Sequence, residues 1–284
     1  MGGICVKAAK FRLLGVVMAA LLVLGMLAGC SRAEKAPQGT SGLSGTIVIA
    51  GSTSVQPLSE ELAAAFKEKH PDVDISVAGG GSSAGIKAAQ EGTADIGASS
   101  RELKPGEKGT LFETLIAKDG IAVVVHPGNA VNALSLDQVR KIFAGEITNW
   151  KDVGGSDAAI NVYTREEGSG TRGAFEEIVM GEDMKISNKA GVQNSTGAVR
   201  TAVAGDPNGI GYISLGSVNK AVKALKIDGV EPSKETVLNG SYRIARPFLY
   251  LTKGKPTGLV KAYIDFVLSP EGQKIVEQDF IPVK

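Results

Sequence analysis

Cysteine is nearly absent from this chain. Among 284 residues only Cys5 and Cys30 carry a thiol, and both fall within the first 30. Disulfides and thiolate metal sites are therefore excluded from everything beyond them. Histidine is as scarce: His70 and His126 are the only two, and each precedes a proline. Both read as boundary residues rather than metal ligands, so no metal and no cofactor is expected. A Ser/His or Cys/His nucleophile pair lacks its components. No Gly-x-Ser-x-Gly elbow has a histidine partner, and no catalytic set is expected. Paired carboxylates stay open, because Asp and Glu together number 30. A basic excess is also missing, which argues against a nucleic-acid surface. No internal repeat is visible.

One long apolar run exists, Leu13–Ala28, preceded by Lys7, Lys10 and Arg12. It is shorter than the ~20 residues that span a bilayer and ends at Leu27-Ala28-Gly29-Cys30. A basic head, an apolar middle and a small-residue end describe a secretory signal over 1–29. The tetrapeptide is similar to a bacterial lipobox, in which cleavage leaves Cys30 as the fatty-acylated (palmitate-bearing) N-terminus. Residues 30–45, rich in Gly, Ser, Ala and Pro, read as a flexible tether. Removing the signal takes three of 31 basic residues and none of 30 acidic ones, so the remaining 255 are slightly acidic. The expected location is the extracytoplasmic face of the cell membrane, held by lipid on Cys30.

Beyond the tether, strands and helices alternate. Thr46–Ala50 is a β-branched run, and Pro57–His70 places Leu58, Leu62, Ala65 and Phe66 at helical spacing with proline in the first turn. Strands follow at 73–78 and 94–98, with a short helix at 84–91 between them. Ile121–His126 reads as a doubly covered strand. Ser135–Gln138 is a capping box opening a helix. Strands are expected at 160–163, 209–213 and 247–252. Helices are expected at 172–180, 198–204 and 257–268, with a last one from Ser269-Pro270-Glu271. The alternation implies α/β architecture with largely parallel sheets.

Four strand-to-helix loops share one composition: Gly51–Val55, Gly79–Gly85, Ala98–Arg101 and Thr164–Thr171. The first turn of a helix presents free N–H groups and the positive end of the helix dipole. Glycine permits close backbone approach, and Ser/Thr hydroxyls add donors, so such loops suit an oxyanion. Each alone is an ordinary N-cap. Together they gain weight from Arg165, a cation able to grip two oxygens at once, with Glu167 two residues on to hold it. Arg101 is a weaker candidate, because Glu102 and Lys104 suggest a solvated loop. Gly79-x-Gly81-x-x-Ala84 with Glu102 downstream also matches a loose dinucleotide fingerprint, though the next helix is short and the loop does not follow the first strand.

The segments AGSTSVQPL (50–58), GGGSSAGIKA (79–88), ADIGASSRELKPGE (94–107), IFAGEITNWKDVGG (142–155), TREEGSGTRGAF (164–175) and GIGYISL (209–215) occur in an order that resembles the phosphate-binding lipoproteins of phosphate-specific ABC importers. The resemblance runs from about Gly45 to the C-terminus. It implies a two-lobed, periplasmic-binding-protein-like (type II) fold, each lobe a mixed, mostly parallel sheet flanked by helices, with two hinge crossovers. Residues 46–126 plus 246–284 would form lobe 1, and 127–245 lobe 2. The implied partners are inorganic phosphate and the importer's permease subunits with their ATPase, the chain acting as a monomer. The implied ligand residues are Thr53, Ser54, Ser82, Ser100, Arg165, Ser169, Gly170 and Thr171, with Glu167 supporting. Some well-known members carry aspartate where Ser100 stands, and serine brings no charge to discriminate anions. Sulfate, molybdate, an anion-sensing role or an enzyme on the same scaffold remain as alternatives.

Overall fold

A computed structural model describes residues 42–283. The expected signal over 1–29, Cys30 and most of the 30–45 tether lie outside the described residues. In the first half, β1 (Gly45–Gly51), α1 (Gln56–Lys69), β2 (Val73–Gly79), α2 (Ser82–Glu91) and β3 (Ile96–Ser99) form parallel crossover units, with β1 between β2 and β3. Helix α1 starts with proline in its first turn and buries Leu58, Leu62 and Phe66. It stops at His70, just before Pro71, whose ring cannot continue a helix. Those three side chains pack with Ile47 and Ile49 of β1 and with Phe248, Tyr250 and Tyr263. Each full burial contributes about 1.5–3 kcal/mol, so a Leu62→Ala cavity costs about 2–5 kcal/mol.

Strand β4 (Phe112–Val125) is the long member. Next come β5 (Ala133–Leu134), α3 (Leu136–Ala144), β6 (Asn161–Arg165), α4 (Gly170–Phe175), β7 (Gly191–Gln193), α5 (Thr196–Ala204) and β8 (Gly209–Ser214). The short strands β9 (Lys223–Ala224) and β10 (Lys226–Ile227), helix α6 (Lys234–Leu238), strand β11 (Ala245–Thr252) and helices α7 (Gly258–Val267) and α8 (Pro270–Asp279) complete the described chain. The expected capping box is present: Ser135 accepts from the Gln138 N–H, and Gln138 reaches back to the cap. The helix expected over 172–180 divides into α4 and a wider π turn over Glu176–Met180.

The sheet order is β2-β1-β3-β11-β4-β8-β6-β7, with β9 also paired to β4. It is mixed. β11 runs antiparallel to β3 and β4, and β4 antiparallel to β8, while β6 is parallel to both β7 and β8. Residues 112–120 of β4 pair with β11, and residues 121–125 pair with β8. Its side chains divide likewise. Ile116 and Ala117 join the core around Phe66 and Phe248, whereas Ile121, Val123 and Val125 join a second core around Phe143, Trp150, Phe175 and Tyr212. In that core Phe175 and Tyr212 stack at 4.0 Å and 7°. Two lobes result, each with its own apolar centre, joined through β4 and β11.

The expected strand at 121–126 is only the second half of β4. The first half contains Asp119-Gly120, which resembles a turn dipeptide. It stays extended because Asp119 sits opposite Arg246 in register and binds its guanidinium at 3.0 Å. Both side chains are 1% exposed. The tie comes from 127 residues away.

Candidate functional site

The four Ser/Thr/Gly loops converge. Gly51–Val55 leaves β1, Gly80–Gly81 leads into α2, Ser100–Arg101 follows β3, and Glu166–Ser169 links β6 to α4. A fifth joins them: Asn194-Ser195 carries β7 into α5, with Ser195 capping that helix through the Ala198 N–H. The hydroxyls of Ser54, Ser82, Ser100, Thr171 and Thr196 are 0–3% exposed.

They bond to one another across the lobes. Ser54 Oγ lies 2.9 Å from Thr171 Oγ1 and 2.7 Å from Thr196 Oγ1. The Thr196 N–H donates to Thr53 Oγ1 at 3.2 Å. On the other flank Ser52 Oγ donates to Ser100 Oγ at 2.8 Å. The Ser100 N–H donates to Ser82 Oγ at 3.0 Å. Buried hydroxyls in this number require partners, since each unpaired one costs about 1–3 kcal/mol.

Two glycines permit the approach. A Cβ on Gly170 would fall 2.1 Å from Ser82 Oγ and 2.7 Å from Ser100 Oγ, so no side chain fits there. Gly81, at φ 89°, would bring a Cβ within 2.8 Å of the Gly168 carbonyl. At that point the Ser83 N–H donates to Gly168 O at 3.1 Å, a backbone bond between lobes.

Arg165 ends β6 with 1% exposure. Its Nε and Nη2 donate to the two carboxylate oxygens of Glu166, each at 2.8 Å. Nη1 points the other way and donates to Thr196 Oγ1 at 3.2 Å. The expected supporting acid, Glu167, is corrected to Glu166. The turn after β6 faces Glu166 inward with a side chain 28% exposed, and leaves Glu167 exposed. Behind the arginine, Tyr212 Oη lies 2.7 Å from Thr164 Oγ1. Burial pushes its phenol up to about 12, so it stays neutral.

All eight expected ligand residues fall in this cluster. Ser169 is the N-cap of α4, its Oγ accepting from the Arg172 N–H at 3.2 Å, which leaves its hydroxyl proton available. Cys30 lies outside the described residues. Arg101 is not the solvated side chain expected from its neighbours. It is 5% exposed, grips Glu107 at 2.7 and 2.9 Å, and reaches Ser83 Oγ at 3.2 Å. That grip holds the Glu107 carboxyl below its ordinary value. His70 caps α1, and His126 Nδ1 accepts from the Gly128 N–H. Among the described residues no three His, Cys, Asp or Glu side chains group as metal ligands, and no helix is long and apolar enough to cross a membrane.

Sequence reasoning missed Ser52, Thr196 and Glu166. Ser52 sits inside a loop already singled out. Thr196 belongs to Asn194-Ser195-Thr196-Gly197, of the same composition as the other loops, but its three-residue strand is too short to show alternation.

A buried arginine opposite hydroxyl-bearing loops, set between two lobes of a mixed α/β sheet, fits the class of two-lobed solute-binding proteins. Residues 36–271 match the model of the PBP superfamily domain. The chain is 34% identical to the phosphate-binding protein PstS of Bacillus subtilis, over 94% of this chain and 92% of that one. It is 32% identical to PstS of Borreliella burgdorferi, over 84% and 90%. Its fold is similar to the crystal structure, with bound phosphate, of a phosphate ABC transporter substrate-binding protein from Clostridium perfringens (TM-score 0.82, 48% identity, 84% of this chain and all of that one). An ABC-type phosphate transport receptor from Vibrio cholerae is also similar (TM-score 0.69, 38% identity, 83% and 99%). The chain belongs to the PstS phosphate-binding protein family within the PBP superfamily.

Proposed function

We propose that this protein captures inorganic phosphate outside the cytoplasm and delivers it to the permease subunits of an ABC importer. One observation carries the reading: Arg165, gripped on one side by Glu166, turns its remaining donor to the buried Thr196 hydroxyl, which lies 2.7 Å from Ser54 Oγ of the other lobe. Thr53, Ser54, Ser82, Ser100, Arg165, Ser169, Gly170 and Thr171 form the cage, with Thr196 added. The arginine supplies charge, the hydroxyls supply donors, and the first-turn N–H groups of α4 at Gly170 and Thr171 add backbone donors. An anion held by both lobes stabilises their closed arrangement, a hinge mode of ligand capture. No nucleophile is required, and the protein acts as a carrier rather than an enzyme.

The hinge lies where strands change partners. Ile121 donates to the Ile244 carbonyl at 2.8 Å, so the crossings fall near Gly120 and Ala245. Lipid on Cys30 would hold the monomeric body at the membrane through the 30–45 tether. Cells fed labelled palmitate should label the wild-type chain and leave Cys30→Ala unlabelled. Calorimetric titration of the full-length chain with inorganic phosphate tests the main claim. Saturable binding of one phosphate per chain is expected, and an absence of heat and of protection against thermal unfolding would overturn it.

A further inference from the structure

Strand β6 outruns one of its neighbours just where it carries the anchor. Its register with β8 covers Asn161 and Val162, three residues short of Arg165. On the other flank β7 continues alongside, and the Glu166 N–H still donates to the Gln193 carbonyl at 3.2 Å. Beyond Val162 the buried backbone of β6 needs other partners on the β8 side. Side chains take over. The Arg165 N–H donates to Tyr212 Oη at 3.4 Å, and the Arg165 carbonyl accepts from Arg172 Nη1 at 3.0 Å.

Arg172 belongs to α4, and its side chain is 20% exposed. Its Nε donates to Glu176 Oε1 at 2.8 Å, which aims the guanidinium. Its own N–H donates to Ser169 Oγ at 3.2 Å. Arg172 therefore touches both ends of the turn from Arg165 to Ser169. At one end is the main chain of the residue that carries the cation. At the other is the cap of the helix that supplies the first-turn donors. The one backbone bond inside that turn runs from the Ser169 N–H to the Glu166 carbonyl at 3.0 Å. Both side-chain bonds of Arg172 end on protein groups outside the hydroxyl cage.

We propose that Arg172 is a positioning residue of the anion site: its guanidinium ties the Arg165 main chain to α4, so the anchor cation and the helix donors meet the anion as one unit. Glu166 steers the Arg165 side chain, but it is the next residue on the same turn and moves with it. Arg172 and Tyr212 hold the main chain from elements outside that turn. Preorganised donors bind more tightly because less ordering remains to be done when the ligand arrives. This inference rests on the proposed phosphate site and adds a residue that acts through Arg165.

The full-length chain, purified in detergent, can be titrated with inorganic phosphate in a calorimeter as wild type, Arg172→Met, Arg172→Lys, Arg165→Ala and the Arg165→Ala/Arg172→Met double variant, with thermal unfolding alongside. Arg172→Met should raise the dissociation constant by about tenfold in a chain that still unfolds cooperatively. Arg172→Lys keeps a charged donor for the Arg165 carbonyl and should recover affinity to within about threefold of wild type. On the Arg165→Ala background the Met substitution should cost less than about twofold, because no guanidinium remains to be positioned. A similar loss on both backgrounds would overturn the positioning role, and so would unchanged affinity in Arg172→Met. Glu176→Gln loosens the aim of Arg172 without removing it and gives a milder second variant. Binding about threefold weaker is expected there, and unchanged binding would overturn the role. A wild-type chain that binds no phosphate would overturn the phosphate site itself.

Discussion

Two buried arginines in this protein are each tied to a carboxylate, and they do different work. Arg246 lies inside the sheet at the lobe crossing, and both it and Asp119 are 1% exposed. Its donors go to Asp119 and to the Ser100 carbonyl, all within the protein. Arg165 ends a strand at the loop cluster, and its partner Glu166 keeps 28% of its side chain in solvent. One guanidinium edge is fixed by Glu166, and the other donates to Thr196, whose hydroxyl adjoins Ser54 of the other lobe. A shared residue type thus serves the framework in one place and, in the proposed function, the ligand in the other. The distinction lies in where the second edge points and whether the counter-charge is sealed from water. Fully sealed pairs contribute little net stability, yet losing one member leaves an uncompensated buried charge.

The comparison predicts opposite phenotypes. Asp119→Ala should lower unfolding stability by about 3–5 kcal/mol, read as a large drop in the denaturant midpoint. A loss under about 1 kcal/mol would mean the pair is not holding the crossing. Glu166→Gln should leave stability nearly unchanged but weaken phosphate binding by about 1–2 kcal/mol, because the guanidinium loses a charged partner that orients it. Glu167→Gln should change neither. Equal effects at the two positions would show that the turn does not select Glu166.

A third pair sharpens the series. Glu107, gripped by Arg101, has a carboxyl held below its ordinary value, chiefly by that hydrogen bond. A lowered folded-state value means the pair stabilises the fold above the ordinary carboxylate range. That stability is lost as pH falls through the folded-state value. Glu107→Gln should therefore flatten the acid limb of a stability-versus-pH curve without altering neutral-pH phosphate affinity. An unchanged acid limb would count against the pairing.

Much of the fold was readable because its signals are local. The β-branched run at 46–50, the proline opening α1 and the Ser135–Gln138 box each lie within a few residues of what they specify. The loop cluster was readable for the same reason: strand end, glycine, hydroxyl and helix start adjoin one another. What stayed hidden depends on distant partners or on turn geometry. The first half of β4 looks like a turn until Arg246 is placed opposite Asp119. Glu166 and Glu167 are adjacent and chemically alike, so only the shape of the turn decides which one faces Arg165. Arg101 lies among charged neighbours and is buried nonetheless, because Glu107 folds back onto it.

The central claim is that Arg165 is the charged anchor of an oxyanion cage closed between two lobes. It is tested most directly by titrating wild type and Arg165→Ala with inorganic phosphate in a calorimeter, with thermal unfolding of both run alongside. A folded variant is expected whose dissociation constant rises by about a hundredfold or more, since a buried anion loses its charged partner. Unchanged phosphate affinity in a folded Arg165→Ala chain would contradict it.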